Sequence, residues 1–295
     1  MGTEVHVVVV DGDPGLLDRA RAAIERLEAK WSRFRPTSEL SQLNRAAGRT
    51  CIVSIETFEL VNLAVQAWYL TGGRFDPTVH DALVTAGYDR TFREIAPAPS
   101  IRRPSSPAPA PGCAAIALAP SVRAVTLPPG IALDLGGIGK GRAADLVATD
   151  LIAAGAAGAS VGIGGDVRVN GAGLDGGAWE VGVESPFDEG TDLATLALAD
   201  GAVVTSTRLF RTWQRDGIRQ HHLIDPSTGS PAWTGVAAVT VVAGQAATGE
   251  VMAKAAYLAG ADEGAALLAA AGLTGLLVED TGAVRRVDNL EVYAR

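Results

Sequence analysis

Apolar residues recur along this chain in two periods, and the two alternate. "EVHVVVV" near the N-terminus is rich in β-branched residues and reads as a buried strand. "DPGLLDRARAAIERLEAKWSRF" then spaces leucine and isoleucine at helical intervals behind an Asp13-Pro14 start signal. "SIETFELVNLAVQAWYLTGG" predicts a second helix, with Ser54 and Thr57 as caps and Gly72-Gly73 as its stop. Further on, "GASVGIGGDVRVNG", "AWEVGVES", "LATLALA" and "AVVTSTRLFRTW" follow one another as strands. "VAAVTVVA" precedes the helices "ATGEVMAKAAYLAG" and "DEGAALLAAAG", and the chain closes on the strands "LTGLLVED" and "VRRVDN". Several strands succeed each other without a helix between them. The expected class is therefore α/β of the α+β kind, with mixed, largely antiparallel sheets. No solenoid period is present.

Composition narrows the partners. At 295 residues, 47% hydrophobic and 20% charged, the chain has an ordinary globular balance. With 33 acidic against 25 basic residues the net charge is −8, which argues against general binding to nucleic acid or anionic membrane. An anionic ligand must be held by a local site. Two cysteines, Cys51 and Cys113, with no CxxC or Cys/His cluster, argue against a structural zinc and a disulfide scaffold. No basic-then-apolar leader and no run of about 18 apolar residues occurs, so the expectation is a cytoplasmic chain without a membrane span. Six of the fifteen prolines crowd into residues 94–112, a surface loop or linker.

The candidate chemistry sits at element ends. "LDLGGIGKGRAADLVATDL", residues 133–151, holds four glycines and Lys140 before a helix expected at about 138–154. It is not a P-loop, which would need glycine at Asp134 and a hydroxyl at Gly141. Nor is it a dinucleotide fingerprint, because Arg142 stands where the last glycine belongs. "GGRFDPT" places Asp76 after a helix stop, where Asp-Pro favours a turn. "HHLIDPSTGSP" contains two of four histidines and reads either as a tight hairpin or as a general base beside Asp225. "GIGGD" suggests close backbone approach at its paired glycines. Thr205, Ser206 and Thr207 offer hydroxyl donors, although strands are rich in threonine anyway. Glu250 and Lys254, four apart on a helix, read as an i, i+4 ion pair.

Taken in order, "MGT", "WSRFRPTSELSQLN", "GGRFDPTV", "LDLGGIGKGRAAD", "GIGGDVRV", "VVTS", "HHLIDPSTGSP" and "GEVMAKAAYLAG" resemble the ApbE family, from Met1 to about Gly260. The resemblance implies an FAD:protein FMN transferase, which moves FMN from FAD to a threonine or serine of a target flavoprotein and releases AMP. It implies a T-fold-related architecture as a single domain over residues 1–295, with FAD in a cleft between lobes, and a divalent metal, usually magnesium. By the same analogy Met1, Phe34, Arg74, Phe75, Asp76, Asp134, Lys140, Ser206 and His222 contact FAD. His222 acts as general base for the attacking hydroxyl or as a hydrogen-bond donor to the developing phosphoryl charge, with Lys140 and Asp225 in support, and His221 is a spare surface residue. The 133–151 glycines let backbone approach the pyrophosphate, and the Gly137 carbonyl binds metal.

Two departures stand out. Where the family carries an aspartate and, four residues later, a threonine as metal ligands, this chain has Glu250 and Lys254. A protonated lysine cannot coordinate a cation. Either the Lys254 ammonium takes the cation's place, or the metal binds elsewhere. Thr207 stands where the family often has glycine. The alternatives to transfer are an FAD- or FMN-binding protein of the same fold and an FAD pyrophosphatase.

Overall fold

The computed structural model describes residues 3–95, 107–215 and 217–295. In chain order it begins β1 (Val5–Val10), α1 (Leu16–Trp31), α2 (Glu39–Arg45), β2 (Thr50–Ile52), α3 (Ile55–Leu70) and α4 (His80–Thr85). There follow β3 (Ala117–Ala119), β4 (Ala124–Thr126), α5 (Gly139–Ala153), β5 (Gly158–Ile163), β6 (Asp166–Gly171), β7 (Trp179–Glu184) and β8 (Asp192–Leu198). Next are β9 (Asp200–Thr207), β10 (Thr212–Arg215), β11 (Ile218–His221), β12 (Ile224–Asp225) and β13 (Ser230–Pro231). The chain ends with β14 (Val236–Ala243), α6 (Ala246–Ala259), α7 (Ala261–Ala270), β15 (Thr274–Glu279) and β16 (Val284–Arg286). These elements form two compact units, each built from separate stretches of chain.

One unit comprises residues 3–26, 138–207 and 234–295. Its frame is a seven-stranded sheet in the order β1-β5-β6-β9-β14-β15-β16, antiparallel throughout. Helix α5 packs on β5 and β6, α6 on β9 and β14, and α7 on β15. A second apolar layer gathers Trp179, Val183, Leu196 and Leu198 of the β7–β8 hairpin with Val169, Val203, Ala238, Val242, Leu276 and Val278 of the sheet. All eight residues of β14 are consequently buried, which is why that strand is apolar without alternation. Strand β1 differs from its expectation. It pairs only with β5, at the sheet's edge, and its valines are exposed or half-exposed rather than buried. A β-branched run marks a strand but does not say which place in the sheet it takes.

The other unit comprises the described residues within 27–137 and 208–233. It holds the three-stranded sheet β2-β4-β3, helices α2, α3 and α4, and the short ribbons β10–β11 and β12–β13. Ser54 caps α3 as expected, its hydroxyl accepting from the Thr57 amide. An apolar cluster of Leu83, Ala86, Tyr88, Trp213 and Ile224, joined by Phe34 and Phe92, forms a core. "AVVTSTRLFRTW" is not one strand. It breaks after Thr207 and resumes as β10, and the halves fall in different units. Most of the proline-rich 94–112 segment lies outside the described residues.

Candidate functional site

In the sheet unit, α5 begins at Gly139 without a side-chain cap, so its first amides need other partners. Glu250 of α6 supplies one: Oε2 accepts the Gly141 amide at 2.9 Å. The reason for glycine at 141 is steric. An added Cβ would stand 2.5 Å from the Ala246 carbonyl, at the start of α6. Gly141 thus lets two helices touch, a role apart from the backbone approach to pyrophosphate expected of the loop glycines. Asp145 of α5 completes the contact, its two oxygens accepting the Ala246 and Ala247 amides at 2.8 and 3.0 Å. It thereby caps α6, which has no cap of its own from Gln245. Arg168 of β6 neutralises Asp145 at 3.3 Å and also meets Asp200 at 2.6 Å.

The same contact gathers four charges. Lys140 Nζ lies 2.6 Å from Asp166 Oδ2 and donates also to Glu250 Oε1. Lys254 Nζ reaches the same Oε1 at 3.2 Å and the Glu250 carbonyl at 3.4 Å. Burial opposes the Lys140 charge, but the two carboxylates outweigh it and raise its pKa above the ordinary lysine value. Burial likewise opposes ionised Glu250, and the two ammoniums outweigh it, holding its pKa below the ordinary range. For Asp166 burial dominates and pushes it up; for Lys254 burial dominates and pulls it down. The Glu250–Lys254 pair is thus no solvated surface pair. Sequence reasoning did not find Asp166, Asp145 or Arg168. "GGD" held the only signal, and its glycines serve a two-residue turn between β5 and β6, with φ of 61° and 89° at Gly164 and Gly165.

A divalent cation does not fit this set. Glu250 Oε1 is taken by two ammoniums and Oε2 by an amide, while Asp166 Oδ2 is taken by Lys140. Among the described residues no group of three or more His, Cys, Asp or Glu side chains could hold a metal ion. Ser206 is buried in β9, opposite Val239 of β14. The Thr207 hydroxyl donates to the Ala237 carbonyl at 2.9 Å and ties β9 to β14.

In the other unit, Asp134 is held by Arg33, whose Nε stands 2.5 Å from Oδ2, and by the Gly136 amide at 2.7 Å. Arg33 lies over the rings of Phe34 and Tyr88, at 4.2 and 4.7 Å, and donates to the Tyr88 carbonyl at 2.6 Å. Asn44 brackets Leu133 through both its N–H and its C=O, at 2.9 Å each, fixing the loop that carries Asp134 and Gly137. Asp76 is buried. It accepts from the Thr78 amide and hydroxyl and from Trp68 Nε1, at 2.7, 2.6 and 3.1 Å, so its carboxylate shapes the turn that the Asp-Pro pair predicts. Burial pushes its pKa up against those three donors. Phe75 is buried and Arg74 is exposed. Met1 lies outside the described residues.

His222 follows β11 and is half-buried. Asp225 accepts from the Ser227 amide and hydroxyl at 2.8 and 2.7 Å, a side-chain turn that sets the β12–β13 ribbon. His221 is the reverse of a spare surface residue. Its side chain is entirely buried, stacks edge-on against Trp233 and accepts the Leu223 amide at 3.3 Å.

The architecture has counterparts. The ApbE family matches residues 1–277. The crystal structure of the ApbE protein from Thermotoga maritima is 29% identical, with a TM-score of 0.88 over 100% of this chain and 96% of that one. The FAD:protein FMN transferase of Vibrio cholerae is 27% identical over 306 residues, spanning 100% of this chain and 88% of that protein. The enzyme of the same name from Klebsiella pneumoniae is 28% identical over 277 residues, 91% of this chain and 83% of its own length. The chain belongs to the ApbE family.

Proposed function

We propose that this chain is an FAD:protein FMN transferase, acting as one functional unit over residues 1–295. The observation that carries the reading is a family match that runs through nearly the whole chain, including every block that bears the candidate chemistry. The acceptor is a threonine or serine hydroxyl of a flavoprotein. That oxygen attacks the FMN phosphorus, a new P–O bond forms, and the P–O bond to the AMP half breaks. AMP leaves with the electron pair, and the His222 imidazole takes the hydroxyl proton. Asp225 sets the segment that carries His222. Arg33 holds Asp134 toward the nucleotide, and Phe34 offers an apolar ring edge to the flavin. Lys140 brings positive charge to the phosphates, which an acidic protein otherwise lacks. No step is assigned to magnesium, because Glu250 Oε1 and Asp166 Oδ2 are held by lysines and Glu250 Oε2 by the Gly141 amide.

The test incubates the purified protein with FAD and an acceptor domain, reading the acceptor by mass spectrometry and the nucleotides by chromatography. The expected outcome is an acceptor heavier by one FMN with matching AMP. His222→Ala is expected to slow transfer by about 10²–10⁴-fold while FAD still binds. Free FMN with AMP and an unmodified acceptor would mean a pyrophosphatase. FAD bound and returned intact would mean a binding protein.

A further inference from the structure

Resting on that reading, we infer that Lys254, together with Lys140, provides a built-in cation for the FAD phosphates, and that this chain binds FAD without a divalent metal. The cluster is electrically complete. Two ammoniums, Lys140 and Lys254, face two carboxylates, Asp166 and Glu250, and the four charges cancel. A divalent ion placed against Glu250 would stand beside two ammoniums in a desolvated setting, where like-charge repulsion is least screened. It would also have to displace at least one of the three donors on that carboxylate.

The cluster is also oriented. Glu250 and Asp166 side chains are 0% and 2% exposed, whereas Lys140 and Lys254 keep 15% and 16% of theirs accessible. The carboxylates lie inside and the lysine side chains are the part of the cluster left accessible, so an approaching anion meets a lysine first. Among the described residues, Glu250 takes two of the three Lys254 donors. The third is open to an acceptor from outside the cluster, and a phosphate oxygen is of the right kind. Helix α5 reinforces this, since Lys140 is its second residue and the helix N-terminus favours negative charge. Glu250 therefore serves as the anchor that pins both lysines rather than as a ligand for metal.

The inference is specific to position 254. A lysine there adds a second ammonium to Glu250 Oε1, while a threonine would remove that ammonium and put a neutral hydroxyl oxygen, able to ligate a metal, in its place. The test uses Mn2+ as the probe, read by electron paramagnetic resonance, and FAD affinity read by flavin fluorescence in magnesium and in EDTA. The wild type is expected to take up no Mn2+ with or without FAD, and its FAD dissociation constant is expected to agree within about twofold between magnesium and EDTA. Lys254→Thr is expected to bind FAD about tenfold more weakly in EDTA, and to recover affinity together with one Mn2+ per FAD. Lys254→Arg keeps the charge and should behave as the wild type. One Mn2+ taken up per FAD by the wild type would overturn the inference and leave the transferase reading standing. Failure of the wild type to bind FAD in any arm would overturn the transferase reading and this inference with it. Should Lys254→Thr not fold, the wild-type Mn2+ measurement decides alone.

Discussion

His221 and His222 are neighbours with opposite fates, and one bond of chain direction separates them. Within β11 successive side chains alternate, so His221 turns inward against Trp233 while His222 leaves the strand. Burial, and then the nearby charges of Arg208 and Arg219, push the His221 pKa down to about 4 from 6.5. The sign follows from proton binding. Below about pH 6.5 the unfolded chain takes up a proton that the folded chain refuses until about pH 4, so stability falls as pH drops through that window. The full loss is about 3 kcal/mol, at 1.4 kcal/mol per pH unit. Urea unfolding at pH 7 and at pH 4.5 should show the wild type losing about 2–3 kcal/mol more than His221→Gln. Equal losses in the two proteins would refute the assignment.

Helices α5 and α6 meet closely enough that one residue decides the contact. On an exposed helix, Gly→Ala stabilises by about 1 kcal/mol through backbone entropy. At Gly141 the added methyl would sit 2.5 Å from the Ala246 backbone, and backbone cannot rotate away. The overpacking cost of about 1–3 kcal/mol exceeds the entropic gain once the Glu250–Gly141 bond and the Asp145 cap are strained as well. Gly141→Ala is therefore expected to lower the thermal midpoint; a rise would show that the helices separate at no cost. Long elements such as α3, α5, α6 and β14 were legible because their apolar spacing spans several turns or a whole strand. Helices α2 and α4, of seven and six residues, were not recognised as helices, since so few residues carry no decisive period. The two-residue strands β12 and β13 exist only because Asp225 and Ser227 fold the turn between them.

Across the whole molecule the net charge is −8, and the Lys140–Lys254 pair in the sheet unit is balanced by its own carboxylates. An anionic ligand such as FAD is therefore not drawn in from a distance. Its capture depends on contacts shorter than the Debye length, about 10 Å at 0.1 M salt. Stopped-flow flavin fluorescence should show an association rate that stays level or rises with salt, because screening relieves the long-range repulsion. A rate that falls steeply with salt would overturn this expectation. Within the described residues no helix is long and apolar enough to cross a membrane.

The sequence by itself determined the elements with long periods, the acidic balance, the candidate blocks and the presence of lysine at 254. Each of these is a local property, fixed by residue identity and spacing along one stretch of chain. Only the tertiary structure decided what those residues face. Asp166 and Glu250 are 84 positions apart, yet both close on Lys140 because β6 and α6 pack against α5. Arg33 finds Asp134 across a comparable separation, and Val5–Val10 takes an edge that its valines do not announce. Contacts of this kind are set by how layers stack. A chain read one residue at a time holds the partners without holding their meeting.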